Sequence, residues 1–230
     1  MNLEGAYRHE QKYPITESDY RALRQRLRAV MKSDPHAGAD GLYRIYSVYF
    51  DNYRDKALRE KIDGVQQREK FRIRYYNNDF SYITLEKKIK HNDLCMKLDA
   101  LISLEDFHKI LAEPGAWMLE HPQMLVRELY CKMQLQQLRP RVLVSYTREP
   151  YIYPAGNVRV TFDSDIRSSL FHRLEAGKST PDIAAAESQE QRILEVKYDA
   201  FLPEFLSDLL QLNGLRQQAF SKYGACRRFG

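Results

Sequence analysis

The sequence predicts a single α+β domain built on an antiparallel sheet, and three observations carry that prediction. Four stretches alternate apolar with charged residues at a two-residue period, as strands with one packed face do. Other stretches, beginning at Thr16 and Ser103, carry apolar residues at helical spacing behind N-terminal caps. No composition shift, internal repeat or low-complexity tract divides the 230 residues, so 1–230 reads as one domain.

Taken in order, a short strand is expected near Ala6 to Tyr13, followed by a helix capped by Thr16 with Asp19 three positions on. Leu23, Leu27 and Val30 give that helix its apolar stripe, and Arg21, Arg24, Arg26 and Arg28 its solvated face. A strand follows from Tyr43 to Phe50, and Asp51-Asn52 can cap a short helix that ends at Asp63-Gly64. Two charged strands come next: Phe71, Ile73 and Tyr75 alternate with Lys70, Arg72 and Arg74, and Ile83, Leu85 and Ile89 oppose Glu86, Lys88 and Lys90. Lys87 interrupts the apolar face of the second. Asn77-Asn78-Asp79 turns between them, and Asn92-Asp93 leads into a third strand, Leu94 to Ala100.

Ser103 caps a helix holding Phe107, Ile110 and Leu111; Pro114-Gly115 breaks it, and a second helical stretch runs to about Leu138. Strands at Arg141 to Tyr153 and Val158 to Arg167 flank the turn Pro154-Ala155-Gly156-Asn157. Residues 168–190 read as a mobile surface loop. Its Gly177-Lys178-Ser179-Thr180 string is not a P-loop, because the upstream glycine position holds His172. The last strand, Arg192 to Asp199, sets Glu195, Lys197 and Asp199 against Leu194, Val196 and Tyr198, and helices follow around Phe205 to Leu210 and Leu215 to Tyr223.

Composition narrows the class. A 43% hydrophobic fraction and 16 tyrosines suit a folded globule, and a net charge of +5 suits a phosphate-rich partner without demanding one. Three widely spaced cysteines form no zinc motif and read as thiols of a reducing compartment. With no basic-then-apolar leader and no run near the roughly 18 apolar residues that span a bilayer, the expected location is cytoplasmic. An ordinary wet sheet face explains any one alternating strand. Arginines and lysines recurring at two-residue spacing with single glutamates instead suit a polyanion bound with a divalent metal, because cations grip phosphate oxygens while a carboxylate holds the ion.

Eight ordered blocks carry a resemblance: Arg8-His9-Glu10-Gln11-Lys12-Tyr13, Tyr49-Phe50-Asp51, Asp63-Gly64, Lys70-Phe71-Arg72-Ile73-Arg74, Leu85-Glu86-Lys87-Lys88, Arg159-Val160-Thr161-Phe162-Asp163, Leu194-Glu195-Val196-Lys197-Tyr198 and Ser221-Lys222-Tyr223. In this order they resemble the VTC domain, the polyphosphate polymerase domain of vacuolar transporter chaperone proteins and a branch of the triphosphate tunnel (CYTH-like) metalloenzymes. The resemblance implies an eight-stranded antiparallel β-barrel with flanking helices, whose tunnel is lined by basic residues for a triphosphate and acidic residues for Mg²⁺ or Mn²⁺. The superfamily signature ExExK stands here as Arg8-x-Glu10-x-Lys12, the form of the VTC-like branch. The expected form is stand-alone, without the SPX domain and membrane helices of the eukaryotic polymerases.

On that resemblance Lys12, Arg72, Arg74, Lys88, Lys97, Arg148, Arg159, Lys197 and Lys222 bind phosphate, and Arg72, Arg74, Lys88 and Glu195 are catalytic. Glu195 is the first choice for the metal, with Glu10, Glu86 and Asp163 holding it directly, through water, or orienting arginines instead. Alternation places Arg148 on the face of Val142, Val144 and Tyr146, whereas the resemblance turns it inward; a bend or bulge reconciles the two. The implied activity is polyphosphate synthesis from the ATP γ-phosphate. A triphosphatase, a non-catalytic polyphosphate or nucleotide binder and, last, a nucleic-acid binder are the alternatives, and oligomeric state is left open.

Overall fold

The computed structural model of the chain describes residues 6–169, 183–184, 192–211 and 215–227. In chain order its elements are β1 Arg8–Ile15, α1 Glu17–Val30, β2 Lys32–Ser33, β3 Tyr43–Asp51, α2 Lys56–Ile62, β4 Gln67–Tyr76, β5 Asp79–His91, β6 Leu94–Ile102, α3 Leu104–Ala112, α4 Met124–Gln136, β7 Arg139–Tyr153, β8 Val158–Ser169, β9 Ile183–Ala184, β10 Arg192–Tyr198, α5 Glu204–Leu210 and α6 Lys222–Arg227. The α+β class is as expected. Among the described residues eight antiparallel strands form a ring in the order β7-β3-β4-β5-β6-β1-β10-β8, and β8 pairs back onto β7 to close it. The two-residue strands β2 and β9 extend β7 and β8.

Local chemistry builds the hairpins. Asn77 and Asn78 both adopt left-handed backbone, with φ of 51° and 58°, and join β4 to β5 by the two-residue turn whose twist matches that of the strands. Asn92, at φ 54°, does the same between β5 and β6. Thr16 and Ser103 each form a reciprocal capping box, with Asp19 and Asp106 in the place of glutamate.

The apolar halves of the strands face outward, under helices. Phe71, Ile73 and Leu85 pack with Phe107 and Ile110 of α3 and Val126 and Leu129 of α4; on the other side Val160, Phe162 and Leu194 pack with Leu23 and Leu27 of α1 and Leu206 of α5. A third cluster lies inside the ring, where Ile45, Tyr49, Val142, Val144 and Tyr146 meet Tyr223 and Cys226 of α6. The short C-terminal helix thus plugs one part of the lumen. Among the described residues no helix is long and apolar enough to cross a membrane.

Several expectations change. β1 starts and ends two residues later than expected, and residues 215–221 are not helical. That segment lies along β1, where Gln218 N–H donates to the Lys12 carbonyl at 2.9 Å, so only Lys222 onward is free to coil into α6. Lys87 does not break the pattern of β5: it lies on the helix-covered face and reaches Glu128 of α4 at 2.5 Å and Glu69 at 2.9 Å. Most of the expected 168–190 loop falls outside the described residues, apart from the end of β8 and the strand β9.

Asp51 joins three elements. Its fully buried carboxylate accepts from the N–H groups of Ala57 and Leu58 at 2.9 and 3.2 Å, and from the Tyr223 hydroxyl at 2.7 Å. It therefore caps α2 and ties the α6 plug to β3. Asp51→Ala should destabilise the fold by about 3 kcal/mol, because it strands several buried donors, and Tyr223→Phe by only about 1 kcal/mol. Urea unfolding followed by circular dichroism measures both; equal losses would reduce Asp51 to a partner of Tyr223 alone.

Candidate functional site

The two-residue period turns the charged half of each strand inward. Register confirms it across neighbours: Arg72 of β4 lies opposite Glu86 of β5, Lys12 of β1 opposite Glu195 of β10, and Arg148 of β7 opposite Asp163 of β8. Arg148 needs no bend. It shares the inward face with Val142, Val144 and Tyr146, and those apolar residues are inside because α6 packs on them. The conflict between alternation and resemblance came from reading apolar as outward.

One mouth opens as a cavity of about 470 Å³ whose wall includes Glu10, Lys12, Lys61, Arg68, Lys70, Lys88, Lys90 and Phe220. It narrows to a constriction of about 40 Å³ lined by Lys12, Tyr49, Lys70, Arg72, Arg74, Lys88, Tyr146, Arg148, Glu195, Lys197, Ser221 and Lys222. Seven of the nine expected phosphate-binding residues converge there. Lys97 and Arg159 are not among that lining: Lys97 is half exposed, pairs with Asp99 at 3.0 Å and reaches Glu86 at 3.7 Å, while Arg159 binds Asp34 at 2.6 Å and the Tyr43 hydroxyl at 2.7 Å.

Four carboxylates organise the cations. Glu86 accepts from Arg72 at 2.6 Å and lies 3.9 Å from Arg74, whose other nitrogens donate to Ser47 and Tyr146. Glu10 holds Lys88 at 2.6 Å and Lys12 at 3.0 Å. Glu195 holds Lys197 at 2.8 Å, Lys12 at 3.2 Å and Arg148 at 3.4 Å. Asp163 grips Arg148 through two bonds of 2.7 and 2.8 Å and Lys222 at 2.5 Å. Lys222, at the start of α6, is therefore buried inside the ring and not a solvated helical lysine.

Burial acts to raise the carboxyl groups, but the surrounding cations win. Glu10 sits well below its ordinary value under Lys12 and Lys88, Glu86 is lowered by Arg72 and Arg74, and Glu195 falls well below under Lys197, Lys12 and Arg148. All stay ionised at neutral pH.

Among the described residues no three His, Cys, Asp or Glu side chains cluster as a self-sufficient metal site. The donor set fits a different arrangement. Glu10 and Glu195 are neighbours that share Lys12 and Lys197, and a hard divalent cation is commonly held by one or two carboxylates with substrate phosphates and water completing its shell. Asp163 takes the two-bond fork of Arg148 and Glu86 the Nε and Nη2 of Arg72 on one oxygen, so both suit the role of positioning those arginines.

Sequence reasoning left out Lys70, Tyr49 and Tyr146. The signal for Lys70 was present, since it shares its face with Arg72 and Arg74. Nothing in the sequence separates Tyr49 and Tyr146 from packing tyrosines; in the structure they contact cations, with the Tyr49 hydroxyl accepting from Arg72 at 3.1 Å and the Tyr146 ring lying 4.5 Å from the Lys222 ammonium.

The family model described as VTC domain matches residues 7–229. No curated protein matches the chain. Among solved structures, a candidate adenylate cyclase from Bacillus halodurans superposes with a TM-score of 0.51 at 14% identity, over 90% of this chain and 87% of that one. A candidate adenylyl cyclase from Hippeastrum, described as having a dominant triphosphatase activity, gives a TM-score of 0.53 at 14% identity, over 96% and 94%. Identities this low speak to a shared fold.

The lowered carboxyl groups make stability acid-sensitive. Their folded values lie below the unfolded value of 4.5, so the unfolded chain takes up protons first and the stability they confer is lost as pH falls below 4.5. Thermal unfolding between pH 3 and 8 should show a steep acid limb. Glu86→Gln should cost about 3 kcal/mol at neutral pH by leaving Arg72 buried without its partner, and should flatten that limb; an unchanged acid limb in this variant contradicts the assignment.

Proposed function

Since this chain belongs to the VTC domain family, we propose that it is a metal-dependent phosphotransferase that binds ATP or inorganic triphosphate in the lumen and lengthens polyphosphate from the γ-phosphate. The observation that carries this reading is the convergence of cations from β1, β4, β5, β7, β10 and α6 on one constriction inside a closed ring. Eight cations line it against the four carboxylates Glu10, Glu86, Asp163 and Glu195, so the lumen holds a surplus of positive charge that only a polyanion balances. A constriction of about 40 Å³ supports a narrow, linear phosphate chain over a base-bearing strand as the occupant of the lumen.

Arg72, Arg74 and Arg148 supply planar forks that can each take two phosphate oxygens, while Lys12, Lys88 and Lys197 act as point charges along the same path. Glu86 and Asp163 hold the arginines in orientation, so the clamp is set before ligand arrives. Glu195, with Glu10, would hold Mn²⁺ or Mg²⁺, whose chemistry is to offset charge on the transferring phosphoryl group. Phosphoryl transfer asks the protein mainly for position and electrostatics, so no serine, cysteine or histidine nucleophile is required. The cations keep donor, transferring group and acceptor in line along the tunnel. A terminal phosphate in that line gives chain growth; water there gives triphosphate hydrolysis. The second reading, a triphosphatase, draws support from the description of the Hippeastrum neighbour.

Incubation with ATP and Mn²⁺, with products resolved by size, tests the assignment. The wild type should build long-chain product and Glu195→Gln should lose it. Arg72→Ala combined with Arg74→Ala should weaken triphosphate binding about 100-fold, from the loss of roughly 3 kcal/mol in charge-assisted bonds. Phosphate release without chain growth replaces the polymerase reading with the triphosphatase one; salt-sensitive binding with neither product reduces the domain to a passive binder.

A further inference from the structure

Lys70 stands where the wide cavity meets the constriction, and its side chain lines both. Lys12 and Lys88 share that junction, but both are committed to carboxylates: Lys12 to Glu10 and Glu195, Lys88 to Glu10. Lys70 differs. Among the described residues no carboxylate lies within ion-pairing distance of it, and its ammonium instead sits 5.6 Å from the centroid of the Tyr49 ring.

The surroundings explain why. Three of the groups that act on Lys70 are themselves cations, Lys88 from β5, Lys12 from β1 and Arg72 from its own strand, and Tyr49 of β3 is the fourth. Across the wide cavity α2 brings Lys61, β6 brings Cys95 and α6 brings Tyr223. The carboxylates of that cavity are engaged elsewhere or sit apart: Glu10 with Lys88 and Lys12, Glu69 with Lys87 and Lys132, and Asp93 in the β5–β6 turn. Among the described residues, this cation at the junction of two compartments has cations and the Tyr49 phenol around it and no carboxylate to pair with.

We propose that Lys70 is a phosphate-binding residue reserved for the ligand, and that Lys70 and Tyr49 together take up a proton as a phosphate group reaches the junction. The proposal rests on the triphosphate-binding reading above. The other cations of the constriction are each paired with a carboxylate, whereas among the described residues Lys70 has no carboxylate partner. Burial and the neighbouring positive charges bring the Lys70 ammonium down to about 7, with Tyr49 pulling the other way. Burial raises the Tyr49 phenol, but Arg72, Lys70 and Arg74 outweigh it and bring it to about 7 as well. The two groups therefore share a proton deficit slightly above neutral pH. An arriving phosphate favours the ammonium and disfavours the phenolate, so a proton moves from solvent buffer to the Lys70 nitrogen or the Tyr49 oxygen.

Calorimetric titration of inorganic triphosphate at pH 8, in two buffers of different ionisation heat, reads affinity and proton uptake together. The wild type should take up protons on binding. Lys70→Arg with Tyr49→Phe, which keeps the charge but removes both titrating groups, should lower the uptake by about one proton relative to the wild type. Lys70→Met should bind about tenfold more weakly, the loss of one charge-assisted contact, with circular dichroism confirming the fold. Wild-type affinity in Lys70→Met, or unchanged uptake in the double variant, overturns the proposal. A folded wild type that binds no triphosphate overturns the functional reading itself and this inference with it.

Discussion

Everything in this molecule follows from closing a sheet whose strands are charged on one face. In an open sheet those arginines, lysines and glutamates would lie in water, where each ion pair contributes little. The β7–β8 pairing turns the face into a lumen, and there the same charges are desolvated and lie close to one another. A carboxylate must then accompany the cations or the ring would not be stable, and Glu10, Glu86, Asp163 and Glu195 meet that requirement, each bound to at least two cations. The match is incomplete: cations outnumber carboxylates around the constriction, and the proposed binding of a polyanion rests on that surplus.

The helices belong to the same logic. With the inner face reserved for charge, the packing that stabilises the domain has to sit outside, so α1 and α5 cover one side and α3 and α4 the other. The exception is α6. It enters the ring with an apolar face on Val142, Val144 and Tyr146, and delivers Lys222 to Asp163 at the edge of the charged region. The lumen is therefore half core and half binding site, with Tyr146 and Tyr49 on the boundary touching both.

Much of this was legible because the signals are local. Two-residue alternation placed Arg72, Arg74, Lys88 and Glu195 on one kind of face, the Asn77-Asn78 and Asn92-Asp93 turns marked the hairpins, and the caps Thr16 and Ser103 marked α1 and α3. What was not legible depends on distant contacts. The ring needs β1 beside β10, nearly the whole chain apart, and no periodicity encodes that pairing. The six-residue α6 is held by Asp51 and Asp163 and not by its own helical pattern. Arg148 seemed misplaced only because an apolar neighbour was taken to mean an outward one. Lys70 carried the correct period yet had no partner to distinguish it, and Lys97 and Arg159 had the period but lie beyond the constriction. Which direction a face points was readable; which part of the tunnel it reaches was not.

The central claim is that a linear phosphate chain lies inside the ring, along the inward cations. A crystal structure of the protein with inorganic triphosphate and Mn²⁺ tests it most directly. The account predicts phosphate oxygens between the forks of Arg72 and Arg74 on one wall and Arg148 on the other, with the Glu195 carboxylate on the ion. Triphosphate bound only to the outer surface, with the ion pairs of Glu86, Glu10 and Asp163 undisturbed inside, would contradict it.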